Sequence, residues 1–305
     1  MSSPACQRAC PVCQGSESIE LLRKEELRLV RCAECGMVYA NPVPPDLATG
    51  EFYDQLATPF YLSPDKLAGD YSPVRFGREL KLFRRFCQTG RVLDVGCSTG
   101  AFLFQLNRRF SGAYRVLGVD VAGPALDYAE KQGVATLKES YLTASLDEKS
   151  FSAITFWAVL EHLVQPGDFL SRSASLLAPG GHCFVLVPNF RSLAVRLLGR
   201  KYRYILPQHV NYFTLATLKR FCAGEPRLNP VYCTSTHLNP LVILRDWRGG
   251  GAFVSDEERA RLLKRTTGYK QNPAMKPAKA AVAAMEWVLA RLNLADNLLI
   301  VLRKK

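Results

Sequence analysis

No stretch of this 305-residue chain stays apolar long enough to read as a membrane span. The most apolar window, Ala280 to Leu302, is broken by Glu286, Arg291 and Asp296, whereas a spanning helix needs about 20 nearly uninterrupted apolar residues. The opening MSSPACQRAC holds no apolar run of signal-peptide length, so the expectation is a cytoplasmic protein with no transmembrane segment. Peripheral contact with a membrane face stays open. Internal repeats and low-complexity tracts are also missing, and histidine is scarce, at four residues. With 48% hydrophobic and 22% charged residues, disordered and collagen-like classes are excluded. The length suits one large domain or two ordinary ones.

Acidic residues are absent from Phe169 to Gly224, where Arg172, Arg191, Arg196, Arg200, Lys201, Arg203, Lys219 and Arg220 supply eight of the cations behind a net charge of +13. A one-signed field attracts anions: phosphorylated small molecules, nucleic acid or an acidic membrane face.

Ten cysteines without a leader argue against a disulfide framework. Four of them form two C-x2-C pairs, Cys10 with Cys13 and Cys32 with Cys35, eighteen residues apart. Each pair offers two thiolates on one tight turn, which is what tetrahedral zinc needs. Leu27 to Arg31 alternates as a short strand, and Gly15 and Gly36 are placed to relieve the turns. Cys6 lies near enough to compete, but its spacing fits less well. So short a segment buries little core, so zinc would supply folding free energy. A full thiolate shell leaves no open position, so this Zn(2+) is expected to be structural. Asn41 to Pro45, rich in proline, ends the ribbon.

From Arg91 the pattern becomes strand, glycine turn, helix. Arg91 to Val95 is an apolar β run, Gly96-Cys-Ser-Thr-Gly100 the turn, and Ala101 opens a helix. Further strands read at Tyr114 to Val119, Phe151 to Phe156 and His182 to Val187, with helical patterns between them. Such alternation predicts an α/β fold, a doubly wound parallel sheet. Ligands of these sheets bind beyond the carboxyl ends of the strands. Asp120, closing the second strand, can accept from ribose hydroxyls. The turn lacks the middle glycine of a dinucleotide site, and Asp94 stands before it. A carboxylate there repels phosphate and suits an ammonium. S-adenosylmethionine carries an ammonium and a ribose and no phosphate.

The motifs Val92 to Leu103, Gly118-Val-Asp120, Leu160-Glu-His-Leu163 and Leu177-Ala-Pro-Gly-Gly181 resemble, in order and spacing, those of the class I S-adenosylmethionine-dependent methyltransferases. The ribbon ending in Cys35 to Pro42 is similar to a bacterial zinc-ribbon-containing branch with a core like that of ubiquinone-biosynthesis methyltransferases. Asp296 to Lys304 resembles the fold's last, antiparallel strand. The resemblance implies a Rossmann-like seven-stranded sheet. Asp94, Gly96, Cys97 and Gly100 would line the methionine end, with Asp120 and Val121 at the ribose. Ser140 and Tyr141 would lie near the adenine, and Phe156 and Trp157 near the sulfonium. Ser98 replaces a frequent glycine, and Ser152 a frequent aspartate.

Transfer from a sulfonium is an in-line displacement, so the protein must align the nucleophile and help remove a hydroxyl proton. His162, after Glu161 at the end of the fourth strand, and His209, in Pro207 to Phe213, are the candidate bases. Methyltransferases of ubiquinone biosynthesis and of small-RNA 3′ ends bind a divalent metal through a similar Glu-x-x-Glu-His and a later His. Glu161, His162 and His209 match that set, and Ala158 departs at its first Glu. His182 and His237 read as structural residues in apolar β runs.

Glu51 to Tyr71, with Tyr53, Phe60, Tyr61 and Tyr71, reads as a lid or as ordinary packing. Ser255 to Tyr269 reads as a capped charged helix. Ala278 to Leu292 reads as amphipathic, with Val282, Met285, Leu289 and Leu292 on its apolar stripe. The expected layout is a zinc ribbon over 1–45, a helical lid over 46–90, a methyltransferase core over 91–238, a helical insertion over 239–294 and the last strand over 295–305. The expected function is methyl transfer to a small anionic acceptor such as a sugar, cell-envelope or secondary-metabolite precursor. RNA methylation is the alternative, and a non-catalytic scaffold is a further one.

Overall fold

The computed structural model describes residues 6–44, 47, 52–53, 58–249 and 251–305. Its N-terminal strands β1 (Ser18–Lys24), β2 (Leu27–Cys32) and β3 (Val38–Ala40) pair antiparallel. The first two form a hairpin turning at Glu25, whose φ is +51°. The fourth member of this sheet comes from far along the chain: β9 (Asn211–Tyr212) pairs with β3, Val38 opposite Tyr212 and Tyr39 opposite Asn211. The ribbon is thus built into the larger domain through shared backbone hydrogen bonds.

The main sheet holds β4 (Gly90–Val95), β5 (Tyr114–Asp120), β6 (Thr136–Lys138), β7 (Phe151–Trp157), β8 (Leu177–Pro188), β10 (Leu228–Thr236) and β11 (Asn297–Lys304). Its order is β10-β11-β8-β7-β4-β5-β6. β4 to β8 run parallel, and β11 lies antiparallel between β8 and β10. The chain winds from β4 outward through β5 and β6, then returns to β7 on the other side of β4. That reversal puts the topological switch point at the carboxyl ends of β4 and β7, where sheets of this kind bind their ligands.

Both faces are covered, which is why the strands read as apolar runs. Val92, Ala153, Phe184, Leu186, Leu299 and Val301 face one core, completed by α2 (Gly77–Phe86), α3 (Ala101–Arg109) and α4 (Gly123–Lys131). Leu93, Val95, Ile154, Phe156, Val185, Val187 and Ile300 face the other. There α5 (Pro166–Leu176) and α7 (Leu215–Ala223) cover the sheet, with Val30, Met37 and Tyr39 of the ribbon joining them. Alternate residues of one strand point to opposite cores, the two-residue period of a pleated strand.

α1 (Pro64–Asp70) precedes the main sheet, and α6 (Leu193–Leu198) follows β8. Between β10 and β11 the chain forms α8 (Pro240–Arg248), α9 (Asp256–Gln271) and α10 (Lys276–Arg291). Ser255 caps α9 by accepting from the Glu258 N–H. α9 lies against α1, with Lys264 Nζ 2.7 Å from Asp65 Oδ1 and Gln271 Nε2 3.0 Å from Ser72 Oγ. α10 departs from its sequence pattern. Leu289 is buried and Val282 half-buried, but Met285 and Leu292 are 49% and 60% exposed. The helix docks instead through Glu286, which meets Arg78 and accepts from the His237 N–H. His237 also differs from its reading as a strand residue. It lies past the end of β10 at φ +67°, with Nε2 3.0 Å from Glu79 Oε1.

Candidate active site

The cysteine cluster rests on two backbone knuckles. The Gln14 N–H donates to Cys10 O at 2.9 Å, and the Gly36 N–H to Cys32 O at 3.1 Å. Gly36 takes φ +74°, as its type allows, but in the first knuckle Gln14 at φ +62° does so in place of Gly15. Cys10 Sγ lies 3.5 Å from Cys35 Sγ, and Cys13 Sγ 3.4 Å from Cys32 Sγ. All four sulfurs fall within 4.8 Å of one another. Thiolates about 2.3 Å from a tetrahedral zinc sit just under 4 Å apart, so the donor set fits that ion. Burial pushes the Cys10 thiol up to about 11 and Cys35 higher still, so ionised sulfurs there require a cation. Cys6 lies outside the cluster, bridging Val43 through its backbone.

At the carboxyl end of β4 the chain turns through Gly96 (φ +69°), Ser98 (φ +49°) and Gly100 (φ +72°). A Cβ on Gly96 would stand 2.8 Å from Val159 Cγ2, and one on Gly100 2.9 Å from the Ala129 Cβ. Steric space as well as left-handed backbone therefore requires glycine at both. Ser98 adopts the left-handed conformation without being glycine. Asp120 locks the turn: its Oδ2 accepts from the Ser98 N–H at 2.8 Å, and Oδ1 from Val121 and Ala122 at 2.7 and 3.0 Å. Burial raises this carboxyl's pKa, against the pull of the three backbone donors. Asp94 is buried, with Oδ1 accepting from Thr155 Oγ1 at 2.6 Å, and burial pushes it up to about 7. An ammonium beside it would restore the charge. Cys97 points its sulfur at Gly118, where an added Cβ would come within 2.5 Å of it.

Four further predicted contacts divide by strand face. Ser140 is exposed after β6, whereas the Tyr141 ring is buried, its hydroxyl 2.8 Å from Ser173 Oγ. Phe156 packs edge-on against Tyr141 in the same core. Trp157 lies on the opposite face against Phe102, ring centroids 5.0 Å apart, its buried Nε1 without a hydrogen-bond partner among the described residues.

Beyond β7, Glu161, His162 and His209 bring a carboxylate and two imidazoles within 4.8 Å of one another. His162 Nδ1–H donates to Gln208 O at 2.8 Å, and His209 Nδ1–H to Tyr204 O at 3.0 Å. This fixes the neutral tautomers and leaves the lone pair on each Nε2. Desolvation lowers His162 to about 4 and His209 well below the ordinary histidine range. Glu161 is buried, and neither carboxylate oxygen meets a hydrogen-bond donor among the described residues. Burial pushes it up to about 8. Two ring nitrogens held by backbone carbonyls and an orphaned carboxylate fit a divalent cation. Ala158, at the departure from the resembled motif, is exposed at φ +59°.

Aromatics close over both parts. The Tyr71 hydroxyl donates to Thr99 O in the glycine turn, and its ring meets Phe104 and Tyr128. Tyr53 lies edge-on to His162, ring centroids 5.6 Å apart. Phe60 sits under the guanidinium of Arg259. Residues 46, 48–51 and 54–57 of the expected lid lie outside the described residues. Tyr71 belongs to the candidate lid read from the sequence. Sequence reasoning missed Thr155, Arg8 and Asn211, which carry no local signal.

The basic segment splits as well. Arg203 is buried in an ion pair with Asp246, its Nε 2.9 Å from Oδ1, and Arg172 bonds Ala144 O and lies over the Tyr141 ring. Arg191, Arg196 and Lys219 line a cavity of about 460 Å³ with Thr214 and Leu292 to Leu294. Among the described residues no helix is long and apolar enough to cross a membrane.

A methyltransferase-domain family matches residues 73–224. A ubiquinone biosynthesis O-methyltransferase of Caulobacter sp. (strain K31) is 30% identical over 153 residues, covering 45% of this chain and 58% of that protein. One from Ralstonia nicotianae is 29% identical over 164 residues, covering 50% and 68%. The chain thus spans 58% of the length of the Caulobacter relative. A Thermotoga maritima structure, described as an S-adenosylmethionine-dependent methyltransferase and possible histamine N-methyltransferase, superposes with a TM-score of 0.53 at 13% identity. It covers 84% of this chain and 99% of that one, and shows the same fold. A sheet of this order, a glycine turn locked by Asp120 and these matches together place the chain in the class I S-adenosylmethionine-dependent methyltransferases.

Proposed function

We propose that this chain moves the methyl group of S-adenosylmethionine onto a hydroxyl oxygen of a small anionic acceptor, with Glu161, His162 and His209 as the groups that receive that oxygen. One observation carries the reading. A buried, donor-free carboxylate and two imidazole lone pairs converge beyond β7, at the same sheet edge as the glycine turn. The Caulobacter and Ralstonia relatives are O-methyltransferases, which supports oxygen as the acceptor atom. Arg191, Arg196 and Lys219, with no ion-pair partner among the described residues, support an anionic group on it.

Each group then has a task. Asp94 faces the ammonium of the cofactor, and its raised proton affinity falls when that charge arrives. The glycines of the turn at Gly96 to Gly100 let the cofactor approach the backbone closely, and Asp120 retains a lone pair on Oδ2 for a ribose hydroxyl. Ser140 and Trp157 border the cofactor, while Tyr141 and Phe156 support it from within the core. Cys97 and Val121 contribute through the backbone that shapes the turn. A divalent cation held by Glu161, His162 and His209 would lower the pKa of a bound hydroxyl. His162 and His209 orient through their Nδ1–H bonds, so their Nε2 atoms are positioned before the acceptor binds. Alignment of this kind supplies up to about 7–11 kcal/mol of a bimolecular barrier. In the ribbon, Cys10, Cys13, Cys32 and Cys35 hold a structural zinc with no open position.

The test is a partition of label. Purified protein, zinc and methyl-labelled S-adenosylmethionine are incubated with a total cell extract, with and without added magnesium. Label in the small-molecule or organic-soluble fraction, lost in Glu161→Gln, is the expected result. RNase-sensitive label would overturn the small-acceptor reading, and undiminished label in Glu161→Gln would overturn the role of the cluster.

A further inference from the structure

We propose that the cysteine ribbon sets the position of the Glu161, His162 and His209 cluster, and that Arg8 is the positioning residue through which it does so. The inference rests on the reading of that cluster given above. Arg8 precedes the first knuckle by two residues, yet three of the four hydrogen bonds of its guanidinium reach the distant loops around the cluster. Its Nη1 donates to Val164 O at 3.0 Å, directly after the turn that carries Glu161 and His162. Its Nη2 donates to Val210 O and, at 3.0 Å, to Asn211 Oδ1, next to His209. Its Nε donates to Ala40 O at 3.2 Å, within the ribbon. One planar fork thus ties three chain segments together, a geometry that lysine cannot reproduce.

Further contacts make the tie continuous. Ribbon strand β3 pairs with β9, and the Ala40 N–H donates to Val210 O at 2.9 Å. From the same short strand, Asn211 Nδ2 donates to Leu160 O and Leu163 O, both at 2.7 Å, bracketing Glu161 and His162. The Val210 N–H donates to Glu161 O, also at 2.7 Å. β9 is two residues long and pairs with the ribbon alone, so among the described residues nothing else in a sheet holds it. The glycine turn draws on β4, β5 and Tyr71 instead. Cofactor binding and cluster geometry therefore depend on different parts of the chain. Because thiolate coordination folds a ribbon of this size, zinc occupancy controls the cluster.

The experiment compares zinc-loaded wild type, Arg8→Lys, Arg8→Gln and Glu161→Gln. S-adenosylhomocysteine binding reports the cofactor site, and long-range ¹H–¹⁵N spectra of labelled histidine report the tautomers. The expected result is cofactor affinity within about twofold of wild type in both Arg8 variants, with loss of the fixed Nδ1–H tautomer at His162 and His209. Arg8→Lys should not rescue it. Mn²⁺ binding is measured alongside and should weaken at least tenfold in Arg8→Lys and in Glu161→Gln. Unchanged tautomers in an Arg8 variant that binds S-adenosylhomocysteine would overturn the coupling. Unchanged Mn²⁺ affinity in Glu161→Gln would instead overturn the cation reading of the cluster and leave the tautomer result to decide the coupling. If both Arg8 variants lose cofactor binding, Asn211→Ser, which removes the brackets to Leu160 and Leu163, carries the same comparison.

Discussion

Glu161 makes the sharpest prediction, because burial opposes its charge and no other residue among those described donates to its carboxylate. In the unfolded chain this carboxyl ionises near 4.5, and in the fold near 8. Below pH 4.5 it is neutral in both states and contributes no pH dependence. Between the two values the unfolded chain releases the proton while the fold retains it, so stability falls as pH rises, and the loss is complete above about 8. At 1.36 kcal/mol per tenfold in proton activity, the interval sets a ceiling of about 5 kcal/mol. Glutamine copies the protonated carboxyl and abolishes the term. Urea unfolding of zinc-loaded, magnesium-free protein is therefore expected to show wild type losing ground to Glu161→Gln steadily from pH 5 to pH 8. Other buried acids, Asp94 among them, cancel in the difference. An excess of Mg²⁺ or Mn²⁺ should narrow the gap at pH 8, since a cation at 100 times its dissociation constant stabilises wild type by about 2.7 kcal/mol, roughly half of that ceiling. A flat difference across that range would refute the claim that the carboxyl is buried without a partner.

Three other perturbations are as direct. Removing zinc with a strong chelator should expose four thiols to Ellman's reagent beyond those reactive in the loaded protein, and should lower the unfolding midpoint. Asp246→Asn leaves the Arg203 guanidinium buried against a neutral group, so a loss of about 3–5 kcal/mol is expected from urea titration. Asp120→Asn keeps the size of the side chain but puts an N–H where the fold needs an acceptor for Ser98 or for Val121 and Ala122. Calorimetry should show S-adenosylhomocysteine binding weakened by at least tenfold, in line with about 1–3 kcal/mol for an unmade buried hydrogen bond. Affinity within twofold of wild type would remove Asp120 from the cofactor site.

The cofactor side was legible in the sequence because it is local. Asp94, Gly96, Gly100 and Asp120 sit on one β-turn-α-β unit, where a β run, a glycine spacing and a terminal carboxylate each leave a short-range signal. The paired cysteines were legible for the same reason. Side-chain direction was harder: Phe156 and Trp157 are neighbours in sequence, and the two-residue period of a strand sends them to opposite cores. The α10 stripe misled because periodicity reports an apolar face without saying what covers it. Met285 and Leu292 stay exposed while the charged Glu286 is taken inward by Arg78. Least visible was β9, since two residues carry no periodicity and their partners lie about 170 positions away in the chain.

That last gap bears on how the two halves of the site vary. The cofactor turn is fixed by contacts within a continuous stretch, so it survives changes elsewhere. The acceptor cluster is assembled from Glu161 and His162 on one loop and His209 on another, with Arg8 and Asn211 between them. Its stiffness is borrowed from the ribbon, whose strand β3 pairs with β9 and whose Arg8 reaches both loops. On the proposed coupling, substitutions in the ribbon are expected to act on the acceptor chemistry while leaving cofactor affinity alone. A structural zinc distant in sequence from the reacting groups would, on that coupling, govern kcat without touching substrate.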